Sequence, residues 1–213
     1  MIEKLQQNLA GELPGIKSWE RMAVKSQKGE IIESESLQKY SKWLSKEKLD
    51  SMKKAAVLIG FFKRGKDWYF PLIKRPMHEK NHPGQIALPG GAMEPNEKLE
   101  TTALREAFEE VGIIPENVEI IGKLTPLPVP VSEYLIYPFV GIIEKEPNWN
   151  INTDEVEELL LLKFDELIKA DKGYSEDWNL RGNEVNVPIF KVMKKTVWGA
   201  TAAVLCELID LAK

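Results

Sequence analysis

Three glutamates near the middle of the chain are spaced so that they can act together. Glu106, Glu109 and Glu110 occupy positions i, i+3 and i+4, which lie on one face of an α-helix. Like charges at these spacings repel one another and lower helix stability, and a cation between them removes that cost. Ions such as Mg²⁺ take oxygen ligands from carboxylates, water and substrate phosphates. The spacing therefore predicts a helix that carries a metal ion for phosphate chemistry.

The residues around these glutamates predict the elements that hold them. Gly90 and Gly91 permit a tight turn and a close approach of the backbone to a ligand. Asn96 is predicted as the N-cap of the helix, and Gly112 as the residue that ends it in the left-handed conformation. The buried face of this helix is predicted from small and apolar residues at four-residue spacing: Leu99, Ala103, Ala107 and Val111.

The segment from Gly91 to Ile113 resembles the Nudix box, and it matches that motif at every defined position. The matching residues are Gly91, Glu97, Arg105, Glu106, Ala107, Glu109, Glu110, Gly112 and Ile113. A solvated acidic helix face is the usual reason for clustered glutamates. Such a face would not require Gly91, Arg105 and Gly112 at these positions, so the Nudix interpretation is favoured.

This resemblance implies an α/β protein with a Nudix-type α/β/α sandwich around a mixed β-sheet. It also implies an enzyme, a Nudix hydrolase that cleaves the diphosphate of a nucleoside diphosphate linked to another group. Glu106, Glu109 and Glu110 are then expected to be catalytic and to bind the cofactor, Mg²⁺ or Mn²⁺. The motif residues expected to be structural are Glu97, Arg105 and Gly112.

The general base that activates the attacking water has two kinds of candidate. One is a glutamate of the box, Glu106. The other is a carboxylate from a distant loop, as in many Nudix enzymes, and the acidic stretch Asp154–Glu158 can supply it. Within that stretch Glu155 is favoured as a catalytic residue, although the stretch also has a simpler interpretation as a solvated loop that shapes the cleft.

The loop before the box resembles the second signature of the coenzyme A pyrophosphatase branch of the Nudix family. Arg75, Gly84 and the turn 89–91 match at their spacing, whereas Lys80 replaces an arginine and Leu88 replaces a phenylalanine. This likeness implies hydrolysis of coenzyme A or acyl-CoA to 3′,5′-ADP and (acyl-)4′-phosphopantetheine. The residues predicted to bind substrate are Arg75, Lys80, His82, Gly90 and Gly91.

Two other functions stay open at this point. The first is the same chemistry on another nucleoside diphosphate, such as ADP-ribose or a dinucleotide polyphosphate. The second is a Nudix-like domain that senses a nucleotide without cleaving it. Because such domains usually lose glutamates of the box, and all of them are present here, the second function is the less favoured.

Hydrophobic patterning divides the chain into an N-terminal helical arm, residues 1–50, and a Nudix domain, residues 51–213. The arm has a predicted helix at Ser36–Lys48, from apolar residues at helical spacing. In the domain, Lys54–Phe62 and Trp68–Lys74 predict a buried β-hairpin. Further strands are predicted at Val118–Leu124, Leu135–Ile143, Leu159–Phe164 and Val187–Met193, a short helix at Asp165–Ala170, a polar loop at Tyr174–Asn186, and a closing helix at Lys195–Leu211.

Composition excludes several classes of protein. The net charge of −4 over 213 residues gives no basic footprint for nucleic acid. The single cysteine, Cys206, cannot form an intrachain disulfide. No apolar run reaches the roughly 20 residues that span a bilayer, and the N-terminus is too polar for a signal peptide. We therefore expect a cytoplasmic enzyme, monomeric or homodimeric, whose partner is a small nucleotide rather than nucleic acid or a membrane.

Overall fold

A long apolar strand forms the centre of the fold in a computed structural model, which describes residues 2–26, 45–79, 82–180 and 182–213. This strand, β2 (Lys53–Arg64), is buried from Leu58 to Phe62. It pairs antiparallel with β3 (Asp67–Lys74), which confirms the predicted hairpin. It also pairs in parallel with β8 (Tyr134–Ile143) over nine residue pairs. A strand covered on both faces needs a continuous apolar sequence, which explains the run before Lys63.

The main sheet has eight strands among the described residues and is mixed. Its central order is β4-β3-β2-β8-β6, and three more strands pair with it: β5 with β2, β7 with β8, and β9 with β3. The β2–β8 pair is parallel and the other pairs are antiparallel. The remaining strands of this sheet are β4 (Ile86–Ala87), β5 (Gly90–Ala92), β6 (Val118–Lys123), β7 (Leu127–Val129) and β9 (Glu158–Lys163).

Helices cover both faces of this sheet. On one face lies α4 (Leu99–Val111), whose Ala103 and Ala107 pack against Leu58 and Phe62 of β2. The small alanine side chains let the helix backbone approach the sheet closely. On the other face, α5 (Phe164–Ala170) and α6 (Gly199–Ala212) contribute to a second, larger apolar cluster. The predicted α/β/α sandwich is therefore confirmed.

The start of α4 differs from the prediction. Asn96 is not the N-cap: it has a φ of 65° in a turn, and the helix begins at Leu99 after Lys98. The reason is Glu97, whose side chain accepts hydrogen bonds from the backbone N–H of Glu94 (3.1 Å) and the hydroxyl of Thr102 (2.7 Å). This carboxylate thus closes the loop ahead of the helix in place of an asparagine cap.

The described part of the N-terminal arm packs on α6. It contains α1 (Ile2–Leu9), α2 (Ile16–Trp19) and a 3₁₀ turn (Glu20–Met22), and the apolar residues of these segments join the cluster under α6. Of the helix predicted for the arm at Ser36–Lys48, residues 36–44 lie outside the described residues. The structure has a short helix there, α3 (Lys46–Ser51).

The polar loop predicted at Tyr174–Asn186 was wrong, because this segment forms two strands of a small sheet. The sheet consists of β1 (Lys25–Ser26), β10 (Ser175–Leu180) and β11 (Asn183–Pro188). Trp178 and Leu180 alternate with polar residues along β10, so one face packs on a small apolar cluster and the other is exposed. This period of two is a strand signal that the high polar content concealed.

The closing helix also starts later than predicted. Lys195–Val197 forms a strand, β13, that pairs with β12 (Phe190–Val192), and α6 begins at Gly199. The predicted strand Val187–Met193 is likewise divided between β11 and β12. None of the helices in the described ranges combines the length and the apolarity that crossing a membrane requires.

Candidate active site

The turn at Gly90 and Gly91 brings strand β5 against the glutamates of α4. The backbone N–H of Gly90 donates a hydrogen bond of 2.9 Å to Glu110 Oε2. A Cβ atom on Gly91 would lie 2.4 to 2.6 Å from the carboxylate atoms of Glu106. Gly90 has a φ of 151°, and a Cβ there would lie 2.3 Å from the carbonyl oxygen of Ala56. Gly90 is therefore required for the close approach of turn and sheet, and a side chain at Gly91 would displace the Glu106 carboxylate.

The loop before β9 is attached to the C-terminal end of α4, and this attachment places Glu155. The N–H of Asn152 donates to the carbonyl of Glu110 (3.0 Å), and the N–H of Asn150 donates to that of Val111 (3.2 Å). These carbonyls have no partner inside the helix, so the loop satisfies them. The N–H of Glu155 then donates to the carbonyl of Asn152 (3.1 Å) in a tight turn.

Glu106, Glu110 and Glu155 form one acidic cluster. Each contributes a carboxylate oxygen, and these oxygens lie within 4.8 Å of one another. Glu110 is buried, with 3% of its surface exposed, whereas Glu155 is exposed. The cluster thus has a buried floor and an open side, as a site needs if substrate and water are to enter.

Burial dominates the electrostatics of this cluster. Desolvation raises the pKa of Glu110 to about 8; the hydrogen bond from Gly90 lowers it, the charges of Glu106 and Glu155 raise it, and the charge of Arg75 lowers it. Desolvation also raises the pKa of Glu106, while the neighbouring Arg105 opposes the shift. Without a counter-ion these carboxyl groups resist ionisation, and a positive charge among them would reverse that preference.

The donor set of the cluster fits a hard divalent cation. Carboxylate oxygens that converge on one point, with open space beside them, are the ligands that Mg²⁺ and Mn²⁺ prefer. Glu106 and Glu110 would hold such an ion, and the exposed Glu155 carboxylate would lie beside it. When bound, it supplies positive charge for the phosphate oxygens and makes a coordinated water more acidic.

Glu109 lies apart from this cluster in the structure. Its side chain is 47% exposed, and it pairs with Arg105 Nη1 at 2.9 Å. The spacing i+3 places Glu109 on the same side of the helix as Glu106, but the rotamer of its side chain determines whether its carboxylate joins the acidic cluster. Its role as a metal ligand stays a prediction.

Arg105 and Glu97 connect the loop before α4 to the helix itself. Arg105 Nε donates to Glu97 Oε1 at 2.9 Å, and Arg105 Nη2 donates to the carbonyl of Ala92 at 3.2 Å. The Arg105 guanidinium lowers the pKa of Glu97 to about 2, against the opposing effect of burial. Arg105 Nη1 also lies 2.9 Å from Glu106 Oε1, so one guanidinium contacts both the loop and the acidic cluster.

Gly112 ends α4 in the left-handed region, with a φ of 78°. A Cβ atom there would lie 2.8 Å from the backbone nitrogen of Asn150, the residue that binds the last turn of the helix. This glycine therefore permits both the helix end and the contact with the loop that carries Glu155. Sequence reasoning missed Asn150 and Asn152, because they act through backbone N–H groups that every residue but proline has.

The predicted substrate-binding residues before the box lie on a loop closed by backbone hydrogen bonds. Arg75 N–H donates to Gln85 O (2.9 Å), and Gly84 N–H donates to Arg75 O (3.1 Å). The Arg75 guanidinium forms an ion pair with Glu79 through Nη2. His82 is exposed, and its Nδ1 lies 3.1 Å from Gln85 Oε1. Lys80 lies outside the described residues.

Comparison with known proteins identifies the family. Residues 52–181 match the family profile described as "NUDIX domain". A protein named "Uncharacterized Nudix hydrolase NudL" from Enterobacter sp. (strain 638) is 37% identical over 157 residues, which cover 73% of this chain and 81% of that protein. The chain belongs to the Nudix hydrolase family. The family prediction, and with it that of a hydrolase acting on pyrophosphate bonds, is confirmed.

One more relative and one solved structure are also similar to this chain. The protein of the same name from Pectobacterium atrosepticum is 38% identical over 138 residues, covering 64% of this chain and 71% of that one. The crystal structure of MutT protein from Methanosarcina mazei Go1 aligns with a TM-score of 0.49 at 16% identity, covering 74% of this chain and 92% of that one.

Nudix hydrolases generally use divalent metal ions, which agrees with the oxygen donors of the acidic cluster.

Proposed function

We propose that this Nudix hydrolase cleaves the diphosphate of coenzyme A or acyl-CoA in the presence of Mg²⁺ or Mn²⁺. Water attacks one phosphorus of the P–O–P bridge, and the P–O bond to the other phosphate breaks. The products are 3′,5′-ADP and (acyl-)4′-phosphopantetheine. One observation supports this substrate: the Nε atom of Arg75 has no hydrogen-bond partner among the described residues.

Arg75 Nε is buried and has no hydrogen-bond partner among the described residues. A buried donor without a partner is costly, and it is expected where a ligand completes the hydrogen bond. The charge of Arg75 lowers the pKa of Glu110, so the guanidinium lies within electrostatic range of the cluster. Coenzyme A carries a 3′-phosphate besides its diphosphate, and a guanidinium fork suits a phosphate group.

In this proposal, the box glutamates Glu106, Glu109 and Glu110 provide the metal ligands. Glu155 accepts the proton of the attacking water, because it is the exposed member of the acidic cluster; Glu106 is the alternative base. Lys80, His82 and the backbone at Gly90 and Gly91 are further substrate contacts. The Lys80 ammonium would add a point charge for a phosphate, whereas arginine would add a fork.

The test is incubation of the purified full chain with CoA and MgCl₂ or MnCl₂. Mass spectrometry should detect both 3′,5′-ADP and 4′-phosphopantetheine in equal amounts. ADP-ribose and a dinucleotide polyphosphate serve as competing substrates. Brisk turnover of either one without turnover of CoA would reject the substrate and keep the hydrolase. Tight binding of all three without any products would instead favour a sensing domain.

Arg75→Ala tests the phosphate contact directly. We expect KM for CoA to rise at least about tenfold, as for a lost charged hydrogen bond, while KM for 3′-dephospho-CoA stays close to the wild-type value. Arg64→Ala is the matched control, since Arg64 pairs with Glu146 at the far end of β2. Equal losses on both substrates would contradict a role in reading the 3′-phosphate.

A further inference from the structure

A cavity of about 380 Å³ lies beside the loop that carries Arg75. Three separate segments form its walls: the end of β3 with the residues before β4, strand β10, and strand β13 with the residue after it. Its lining includes Lys74, Gln85, Trp178, Lys195, Thr196 and Trp198. The volume falls within the range of roughly 300 to 1,000 Å³ that is usual for small-molecule sites. We name it the indole cavity, after Trp178 and Trp198.

The two indoles give this cavity a rigid aromatic wall. Their ring centroids lie 5.0 Å apart at an interplanar angle of 83°, so the edge of one ring meets the face of the other. Trp178 Nε1 donates a hydrogen bond of 3.0 Å to Glu176, which fixes the orientation of its ring. Both side chains are half-buried. An aromatic wall held in place in this way favours a flat partner, which stacks on it without ordering flexible groups.

The charges around the indole cavity are balanced. Lys74 pairs with Glu157, and Lys195 pairs with Glu158. Each lysine therefore has a carboxylate of its own, and the cavity does not attract a free anion as an unpaired cation would. The amide of Gln85 and the hydroxyl of Thr196 offer neutral donors and acceptors. This combination suits an uncharged planar group with polar edges.

Backbone hydrogen bonds connect the segments that line the indole cavity to those that carry Arg75 and Glu155. Lys74 directly precedes Arg75, and Gly84 and Gln85 are bonded to the Arg75 backbone. The carbonyl of Lys74 accepts a 2.8 Å hydrogen bond from the N–H of Glu157, two residues after Glu155. The cavity thus lies on the same loop as Arg75, where a phosphate of the substrate is proposed to bind.

We propose that the indole cavity binds the purine base of the substrate nucleotide; this rests on the proposed cleavage of a nucleoside diphosphate but not on the identity of the other half. A purine is flat, uncharged and polar at its edges, and it stacks on aromatic side chains. The pantetheine chain is flexible and would lose more freedom on binding. Lys195, Thr196 and Trp198 lie beyond the residues 52–181 that the family profile matches.

The experiment measures binding without turnover. AMP carries the base but no diphosphate, so it is not a substrate, and its dissociation constant can be measured by calorimetry on the full chain. We expect Trp178→Leu to weaken AMP binding roughly tenfold, the scale of one lost base stack, and Trp178→Phe to restore most of it. Trp68→Leu is the matched control, because Trp68 is also half-buried but lies on β3 near its hairpin turn.

A second variant keeps the test valid if Trp178→Leu does not fold. Thr196→Trp fills the indole cavity from β13 without removing either indole, and it should weaken AMP to a similar extent. Ribose 5-phosphate lacks the base, and its binding should be the same in the wild type and every variant. Unchanged AMP binding in the folded variants would overturn the proposal. A loss confined to 4′-phosphopantetheine would also overturn it, because the cavity would then hold the other half of the substrate.

The outcome for the cavity is separate from the outcome for the substrate. If CoA is not cleaved but another adenine nucleotide is, the AMP measurements still decide where the base binds. If CoA is cleaved and AMP binding does not depend on Trp178 or Thr196, the proposed function stands and the indole cavity proposal fails.

Discussion

Two buried glutamates on opposite sides of the sheet are held in very different ways. Glu207 of α6 is fully buried and accepts hydrogen bonds from the N–H of Gly15 (3.2 Å), from both the N–H (3.2 Å) and hydroxyl (2.6 Å) of Thr125, and from Trp19 Nε1 (3.2 Å). Glu110 of α4 is almost as buried, yet its one donor among the described residues is the N–H of Gly90.

This difference separates a structural carboxylate from one that needs a cation. The donors around Glu207 come from the N-terminal arm and the turn before β7, so the protein itself satisfies the charge and joins three segments. The neighbours of Glu110 include two further carboxylates, Glu106 and Glu155. Burial alone therefore does not distinguish a structural glutamate from a catalytic one. The number of hydrogen-bond donors and of acidic neighbours around each carboxylate does.

The largest expected effect is on catalysis. Glu110→Gln should lower kcat at least about 100-fold, the scale for removal of a charge-stabilising element. The free energy of unfolding of the metal-free protein should not fall, because glutamine keeps the acceptor for Gly90 and removes a poorly solvated carboxylate. Kinetics and urea unfolding measure the two quantities.

Glu109→Gln extends this prediction to the residue that pairs with Arg105. As a predicted metal ligand, Glu109 should show a similar loss of kcat. Near-normal activity in both variants would mean that the metal is held elsewhere. Near-normal activity in Glu109→Gln alone would restrict the ligands to the acidic cluster seen in the structure.

Substitution of Glu207 should have the opposite effect: a loss of stability without a specific loss of kcat. Glu207→Ala leaves the donors of Gly15, Trp19 and Thr125 unsatisfied, which should lower the free energy of unfolding by about 1 to 3 kcal/mol. Thermal denaturation should show this as a fall in Tm of about 2 to 4 °C per kcal/mol. Glu166→Gln, an exposed glutamate on α5, is the control and should leave Tm unchanged. A fall in kcat larger than the loss of folded protein would contradict the structural role of Glu207.

A metal titration compares the two glutamates in one measurement. At about ten times its dissociation constant, a divalent cation that binds the folded protein stabilises it by about 1.4 kcal/mol. Differential scanning fluorimetry with MgCl₂ or MnCl₂ should therefore raise the Tm of the wild type and of Glu207→Gln. It should not raise that of Glu110→Gln. A shift that survives in Glu110→Gln would place the stabilising ion outside the acidic cluster.

The smallest effect on the free energy of unfolding is expected at Glu97, whose charge is paired with Arg105. Arg105 lowers the pKa of Glu97 from the ordinary 4.5 to about 2 in the folded protein. Its contribution to stability is therefore present above pH 4.5 and is lost as the pH falls through about 2. Glu97→Gln should lower the unfolding free energy by about 1 kcal/mol at pH 7. Urea unfolding should show that the gap between wild type and variant closes between pH 4.5 and 2, and a gap independent of pH would contradict the ion pair.

Much of the main sheet and of α4 could be predicted from local pattern. The apolar run before Lys63 and the four-residue spacing of Ala103 and Ala107 follow directly from burial on a strand and on a helix. The small sheet around Trp178 was missed, because polar residues on its exposed face outweighed the alternation of apolar ones. The indole cavity was missed for a different reason: its walls come from three segments that are distant in the chain.

The spacing of Glu106 and Glu110 was enough to predict a shared face, since helix geometry depends on neighbours alone. It could not show that Glu155 joins them, because that depends on Asn150 and Asn152 binding the end of α4. Nor could it show that Glu109 pairs with Arg105, because the spacing does not determine which rotamer the Glu109 side chain adopts. Local periodicity thus predicts which carboxylates can act together, and packing between distant segments settles which of them meet.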